Sequence, residues 1–290
     1  MKLLVKFNII FVLVMALGVL VSGWISRGML REQAREEVLA GGRLLMDQAL
    51  AVRAYTSNEI TKLLTEQNAV SFLPQSVPSY SANTVLDTVR TKHPEYGYKE
   101  ATLNPTNPRD RATGWEVDIV NAFRGNAELK EFVGTRETPT GPSLYVSRPL
   151  RITNPACLQC HSTVDAAPKT MIAKYGSANG FGWQLNEVVG AQIVSVPMNV
   201  PLQRADQTFK FFMAALVGVF VVVGGVLNLM IWLFVVRPVT MLSELANRVS
   251  QGDLTAPEFN VGGRDEIGVL ADSFTRMRTS VTQAMKMLEN

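Results

Sequence analysis

Histidine and cysteine are scarce in this sequence, with two of each in 290 residues. Any histidine-dependent catalytic constellation has only His93 and His161 to draw on, which makes classical histidine triads poor candidates. A four-cysteine zinc site is excluded outright, and a zinc site of any kind would have to borrow His93 or a carboxylate. Charge is also thin: 18% of residues are Asp, Glu, Lys or Arg, against about 25% in ordinary soluble domains. With 28 basic and 25 acidic residues the net charge is only +3, so the concentrated positive field that nucleic-acid binding needs is missing. What is present instead is apolar: 47% of residues are hydrophobic, too many of them in two uncharged runs to share one core.

The first run, residues 7–25, reads FNIIFVLVMALGVLVSGWI and follows Lys2 and Lys6. As a helix it is long enough to cross the roughly 30 Å apolar layer of a bilayer. A cleaved signal peptide would share the basic start, but SGWISRGML offers no small-x-small cleavage site, so an uncleaved anchor is expected. The second run, residues 211–236, has Asn228 as its one strongly polar residue. Asn228 is expected either to hydrogen-bond across to another membrane helix or to satisfy itself on local backbone. Two spans put both flanks on one side. Lys2 and Lys6 argue for an inside N-terminus, while Arg27, Arg31 and Arg35 after the first span argue the opposite, so charge alone does not orient the chain.

Both cysteines lie in Cys157-Leu158-Gln159-Cys160-His161. This is the spacing of a c-type haem attachment site. Two thiols three positions apart suit thioether bonds to the two vinyl groups of one haem, and the adjacent imidazole suits the iron as proximal ligand. A chance match or a redox cysteine pair is the alternative. Free thiolate as a sixth iron ligand is excluded by the cysteine count. His93, Met46, Met171 and Met198 are the alternatives for that position, along with an open site, although a surface role for His93 and core filling for each methionine are the ordinary expectations. Arg111, Arg136 and Arg148 are candidate propionate partners, against a default of solvated surface groups.

Residues 31–67 are rich in Ala, Leu, Glu, Gln and Arg, with Val38, Leu45, Ala49 and Val52 as an apolar stripe interrupted at Gly41-Gly42. A long helix continuing from the first span is expected. Five prolines between residues 73 and 108 predict repeated turns there in place of a regular helix. Residues 115–123 resume an apolar-polar pattern, and residues 143–152 and 188–198 are β-compatible. A compact mixed α/β domain follows.

The ordered blocks YKEATLNPTNP from Tyr98 to Pro108, Trp115-Glu116, Ser147-Arg148-Pro149-Leu150, the CLQCH motif, Tyr175-Gly176, Gly180-Phe181-Gly182-Trp183 and GAQIVSVPM from Gly190 to Met198 resemble the c-type haem sensor domain family, formerly a domain of unknown function. The similarity covers about residues 30–205. The resemblance implies a PAS-like fold, one covalently bound haem c held by Cys157, Cys160 and His161, and haem-based redox or small-molecule sensing. Some relatives use a further cysteine as second axial ligand, which this chain lacks. Haem attachment in c-type cytochromes takes place outside the energy-transducing membrane, so the resemblance places residues 27–210 in the periplasm.

After the second span, Pro238, Leu242, Leu245 and Val249 are spaced by 4, 3 and 4, and Ile267, Leu270, Phe274, Met277 and Val281 by 3, 4, 3 and 4. Two coiled-coil-compatible helices are expected, the first closed by Gly252, with a connector reaching Arg264. Pro238, Gly252-Asp253-Leu254, Asp265-Glu266-Ile267-Gly268 and Phe274-Thr275-Arg276-Met277 resemble the HAMP linker family. That resemblance implies a parallel four-helix bundle in a homodimer.

The expected fold class is therefore α+β: a PAS-like haem c domain between two transmembrane helices, followed by an all-α HAMP coiled coil. The expected division is 1–6 cytoplasmic, 7–26 transmembrane, 27–210 periplasmic, 211–236 transmembrane and 237–290 cytoplasmic. This describes a two-pass protein of a bacterial inner membrane, in contact with membrane lipid and not with nucleic acid. It would be a sensor and not an enzyme, passing its signal to a separate cytoplasmic partner because no output domain follows. The alternative is a membrane-anchored monohaem electron-transfer protein with a periplasmic redox partner.

Overall fold

A computed structural model describes residues 3–253, 255, 257 and 265–288. It divides into two compact units, one of residues Arg27–Gln207 and one of Met1–Ser26 with Thr208–Asn290.

Helix α1, Leu3–Tyr55, runs without a break through both the first apolar run and the Ala/Leu/Glu-rich stretch. A π-turn at Thr56–Ile60 and short helices α2, Thr61–Leu63, and α3, Thr65–Val70, follow. Then come α4, Pro78–Arg90, strand β1, Gly97–Thr102, and α5, Trp115–Gly125. A hairpin of β2, Phe132–Thr138, and β3, Gly141–Arg151, leads to α6, Leu158–His161, and α7, Lys169–Tyr175. Strand β4, Val188–Pro197, closes the sheet.

The four strands form one antiparallel sheet in the order β1-β4-β3-β2. Its central strand β4 is buried along nearly its whole length because both faces are covered. Strand alternation sends Leu144, Val146, Val194 and Val196 to one face, where they pack with Val38, Met46 and Ala49 of α1 and Ala82 and Leu86 of α4. The opposite face, with Ala101, Ala191 and Ile193, packs on Ile119, Val120 and Phe123 of α5. The α1 stripe read from the sequence thus faces the sheet. Gly41-Gly42 does not interrupt the helix: a Cβ at Gly42 would sit 3.1 Å from Val146 Cγ2, so its bare backbone lets α1 come close to the sheet.

The proline-rich stretch departs from expectation. It contains α4, 13 residues long, because Pro78 occupies the first turn, where its missing N–H costs nothing, and Ala82, Asn83 and Leu86 give the helix a buried side. The two later strands fall on the β-compatible runs read from the sequence, whereas β2, a half-exposed edge strand, carried no comparable signal.

Helix α8, Asn199–Ile231, most of which lies in the second unit, carries the other apolar run and continues through a π-turn at Trp232–Val236 into α9, Arg237–Ser250. Both candidate spans present almost all of their most apolar stretch to the surroundings, unlike the core helix of a soluble protein. Asn228 resolves its two alternatives by taking both. Its side-chain amide exchanges hydrogen bonds with that of Asn8, at 2.7 and 2.8 Å, and Asn228 Nδ2 also donates to the Gly224 carbonyl at 2.9 Å. Gly224 lies against the Phe11 ring, where a Cβ would meet Cε1 at 2.8 Å, the close backbone approach that small residues permit between membrane helices.

Helix α9 begins with Pro238 in its first turn and ends just before Gly252, whose φ of +91° suits glycine. Asp253 accepts two hydrogen bonds from the Arg248 guanidinium, at 2.6 and 3.0 Å, tying the chain back to the helix end. Helix α10, Glu266–Leu288, starts under Asp265, whose carboxylate accepts from the Gly268 N–H at 2.9 Å. Leu242, Ala271 and Phe274 are buried together, with Leu245 and Val249 packed against them. Of the motif residues read from the sequence, Leu254 and Arg264 lie outside the described residues.

Two predictions follow from packing. Phe123→Ala, at a ring 1% exposed, is expected to cost about 3–5 kcal/mol, measurable as a lowered near-ultraviolet melting temperature of the solubilised full chain. Replacing Asn8 or Asn228 singly with Leu is expected to weaken helix association in the membrane by about 0.5–1.5 kcal/mol. The double replacement should cost less than the sum, because neither amide is then left alone; steric-trap unfolding in bicelles measures both.

Candidate functional site

The CLQCH segment is built by a cap. Asn154 Oδ1 accepts from the Ala156 N–H at 2.9 Å, starting a 3₁₀ turn at Pro155–Cys157 that runs directly into α6. Residues three apart share one side of such a turn, so Cys157 and Cys160 lie on a common face. Both are free and half-buried. Cys160 packs against a buried apolar cluster of Phe72, Ala167 and Met171, on which Val77, Tyr175 and Phe181 also pack. Burial, and then the neighbouring Cys157, push its thiol above the usual range.

His161 is held from three directions. Its Nδ1 lies 2.7 Å from the Gly180 carbonyl oxygen and 3.4 Å from Thr106 Oγ1, and its ring stacks on Trp183 with centroids 4.0 Å apart. A carbonyl can only accept, so Nδ1 carries the proton and Nε2 is left with its lone pair. Among the described residues Nε2 has no hydrogen-bond partner. Burial lowers the affinity of the ring for a second proton, opposed in part by the Gly180 bond, so the neutral form prevails at pH 7.

The loop that supplies the carbonyl is itself clamped. Asn104 Oδ1 accepts from the Gly180 N–H at 3.1 Å, and Asn104 Nδ2 donates to the Phe181 carbonyl at 3.2 Å. Backbone bonds from Gly182 N–H to the Ser162 carbonyl and from Trp183 N–H to the His161 carbonyl, 2.8 and 3.1 Å, lace the two segments together. Gly180 has φ +88°, and a Cβ there would collide with Thr106 Oγ1, so only glycine fits. Asn104, Thr106 and Gly180 were visible in the sequence only as turn residues and as parts of the motif blocks. Nothing in their spacing places them beside His161, 55 and 19 residues away in the case of Thr106 and Gly180.

The other candidates separate. Met171 belongs to the apolar cluster against which Cys160 packs, whereas Met46 and Met198 are buried in the core between α1 and the sheet. His93 is exposed, 3.8 Å from Glu95 and edge-on to Tyr96. Arg148 is occupied by Asp47 and Glu131 at 2.7 and 3.3 Å. Arg136 lies over the Trp115 ring, 4.5 Å from its centre, in a cleft that does not include the CLQCH residues. Arg111 bonds Asn179, next to Gly180, at 3.1 Å. Among the described residues no three His, Cys, Asp or Glu side chains gather as a zinc site requires.

A family model described as Tll0287-like matches residues 31–197, more than half of the chain. The chain belongs to the Tll0287-like family. A HAMP domain matches residues 230–283, so the Tll0287-like domain is followed by a HAMP domain, as the motif blocks implied. A crystal structure of the cyanobacterial heme-protein Tll0287 is similar at 17% identity with a TM-score of 0.44, covering 56% of this chain and 95% of that one. No curated protein matches. The Tll0287-like domain is thus a mixed helix and sheet fold flanked by two candidate membrane helices, an arrangement that fits an inner-membrane protein of the signal-transducing sensor type.

Gly180→Ala is expected to destabilise the loop by about 1–3 kcal/mol and to release the imidazole. Nitrogen chemical shifts of His161 in haem-free protein should show the Nδ1-protonated tautomer in the unsubstituted chain and a tautomer mixture in the variant.

Proposed function

We propose that this chain is a membrane-bound haem c sensor, with thioether bonds from Cys157 and Cys160 and His161 Nε2 as the proximal iron ligand. The observation that carries the reading is the bond from His161 Nδ1 to the Gly180 carbonyl. A ring so held keeps its other nitrogen basic and correctly oriented, the arrangement typical of metal-binding histidines. Two unpaired thiols on one face and the nearby aromatic cluster of Phe72, Tyr175 and Phe181 suit a flat apolar macrocycle. When bound, haem supplies one-electron redox chemistry and a coordination site for small ligands. Cys157, Cys160 and His161 would hold it and fix its orientation. Met171 is favoured as sixth ligand over Met46, Met198 and His93, since it alone belongs to the cluster against which Cys160 packs.

The sensor reading is preferred to simple electron transfer because a HAMP domain follows the second span. Residues 27–210 are assigned to the periplasm and both termini to the cytoplasm, in keeping with Lys2 and Lys6 and with where c-type haem is attached. The apolar residues Leu270, Met277 and Val281 of α10 are largely exposed in the single chain, which supports a homodimer through the HAMP helices. A separate cytoplasmic partner would receive the signal, and the chain itself would not be an enzyme.

The test is expression of the full chain with a c-type haem maturation system. One haem per chain, resistant to acid-acetone extraction, is expected. Cys157→Ser with Cys160→Ser should leave no haem bound after extraction, and His161→Ala should retain covalent haem with altered ferrous spectra. A mature chain without covalent haem, or thiols labelled only from the cytoplasmic side, would refute the reading. Tail-to-tail crosslinking of α10 that changes between oxidised and reduced protein separates sensing from electron transfer.

A further inference from the structure

We propose that the cavity beside the start of α5 binds a small organic monocarboxylate, with Arg136 as the group that receives its carboxylate. The cavity has a volume of about 420 Å³, within the roughly 300–1,000 Å³ of small-molecule sites. Residues of α4, β1, the turn at Pro108–Asp110, α5, β2 and β4 line it, and none of Cys157, Cys160 and His161 does. The proposal therefore goes beyond the haem reading and does not rest on it. Gly97 and Ser195 face each other in the β1–β4 register among the lining residues. With no side chain on Gly97, the sheet leaves room for a ligand there.

Four basic and three acidic side chains line the cavity. Arg90 pairs with Asp87 at 3.2 Å, Arg109 with Asp110 at 3.0 Å and Lys99 with Glu116 at 2.7 Å. The remaining cation is Arg136, which has no carboxylate partner among the described residues. Its guanidinium carbon lies over the Trp115 ring, 4.5 Å from the centre. Tyr145 packs on Trp115 with centroids 4.8 Å apart and stacks in turn on Phe132 at 6.2 Å, so this platform is held in place. A guanidinium covered on one face keeps its N–H groups for bonds in its own plane, the geometry that the two oxygens of a carboxylate match. Arg136 is exposed, as a group that receives a ligand must be. One unpaired positive charge answers one negative charge, and the three acids on the wall repel a second. That sets a monocarboxylate apart from a dicarboxylate or a phosphate. The Trp115 indole and Ile193 supply an apolar wall for the rest of a small acid. Ser195 Oγ, without a hydrogen-bond partner among the described residues, is available to a ligand hydroxyl or carbonyl.

The experiment is equilibrium dialysis of the full chain in lipid nanodiscs against radiolabelled L-lactate, pyruvate and propionate, with covalent haem content measured on the same samples. At least one of the three acids is expected to bind saturably. The neutral amide of that acid should compete at least about tenfold more weakly than the acid itself. Arg136→Gln is expected to lower the affinity about tenfold or more, and Arg136→Lys, which keeps the charge without the planar fork, to fall between. Because Arg136 is exposed, Arg136→Gln should leave the melting temperature nearly unchanged, so that lost binding is not lost folding. Three results overturn the inference and leave the haem reading standing. They are no saturable binding of any of the three acids, an Arg136→Gln affinity within about twofold of the unsubstituted protein, and succinate or inorganic phosphate competing as well as the tightest acid. A chain that binds the acid through Arg136 but never acquires covalent haem supports the inference and overturns the haem reading.

Discussion

The carbonyl oxygen of Gly180 determines what His161 can do, because by accepting from Nδ1 it leaves Nε2 as the basic nitrogen. Much of the surrounding architecture serves to keep that oxygen in place. Asn104 holds the peptide on both sides, Gly182 and Trp183 bond back to α6 and its flank, and the Trp183 ring covers the imidazole. The glycine is obligatory for two reasons that reinforce one another, a left-handed backbone and a neighbour, Thr106, that occupies the space a side chain would need. A site of this kind is preorganised: little has to move for the imidazole to take up a ligand.

Around it the Tll0287-like domain is a sheet clad on both faces. The α1 side combines an apolar core with polar inclusions, the most extended being the Arg53–Glu100–Tyr98–Gln192 network. Every member of that network is paired, which is the condition for polar groups to be tolerated in a core. The α5 side leaves the Ser147 hydroxyl as the one buried side-chain polar atom without a partner among the described residues. In the other unit the same rule operates under harsher terms. The amides of Asn8 and Asn228, placed in apolar helices, satisfy each other reciprocally.

The sensor reading depends on combining these parts. A haem domain alone would describe an electron carrier equally well, and a HAMP domain alone would say nothing about the stimulus. Their order in one chain, with a candidate membrane span on either side of the first, is what points to signalling.

By itself the sequence determined the features that are local. Apolar run length specified both candidate spans, short β-compatible runs marked β3 and β4, heptad spacing marked α9 and α10, and the cysteine spacing put two thiols on one turn. These are legible because helices and strands repeat over a few residues. Helix α4 was obscured by proline counting, since one proline at a first turn reads like any other, and β2 by its exposed edge position. Only the tertiary structure decided which residues meet across long separations: Gly180 and Thr106 at His161, Asn8 at Asn228, Arg53 at Glu100, and Met171 with Cys160 while Met46 and Met198 go elsewhere. Such pairings arise from the order of strands and the docking of helices, and no short-range periodicity encodes them.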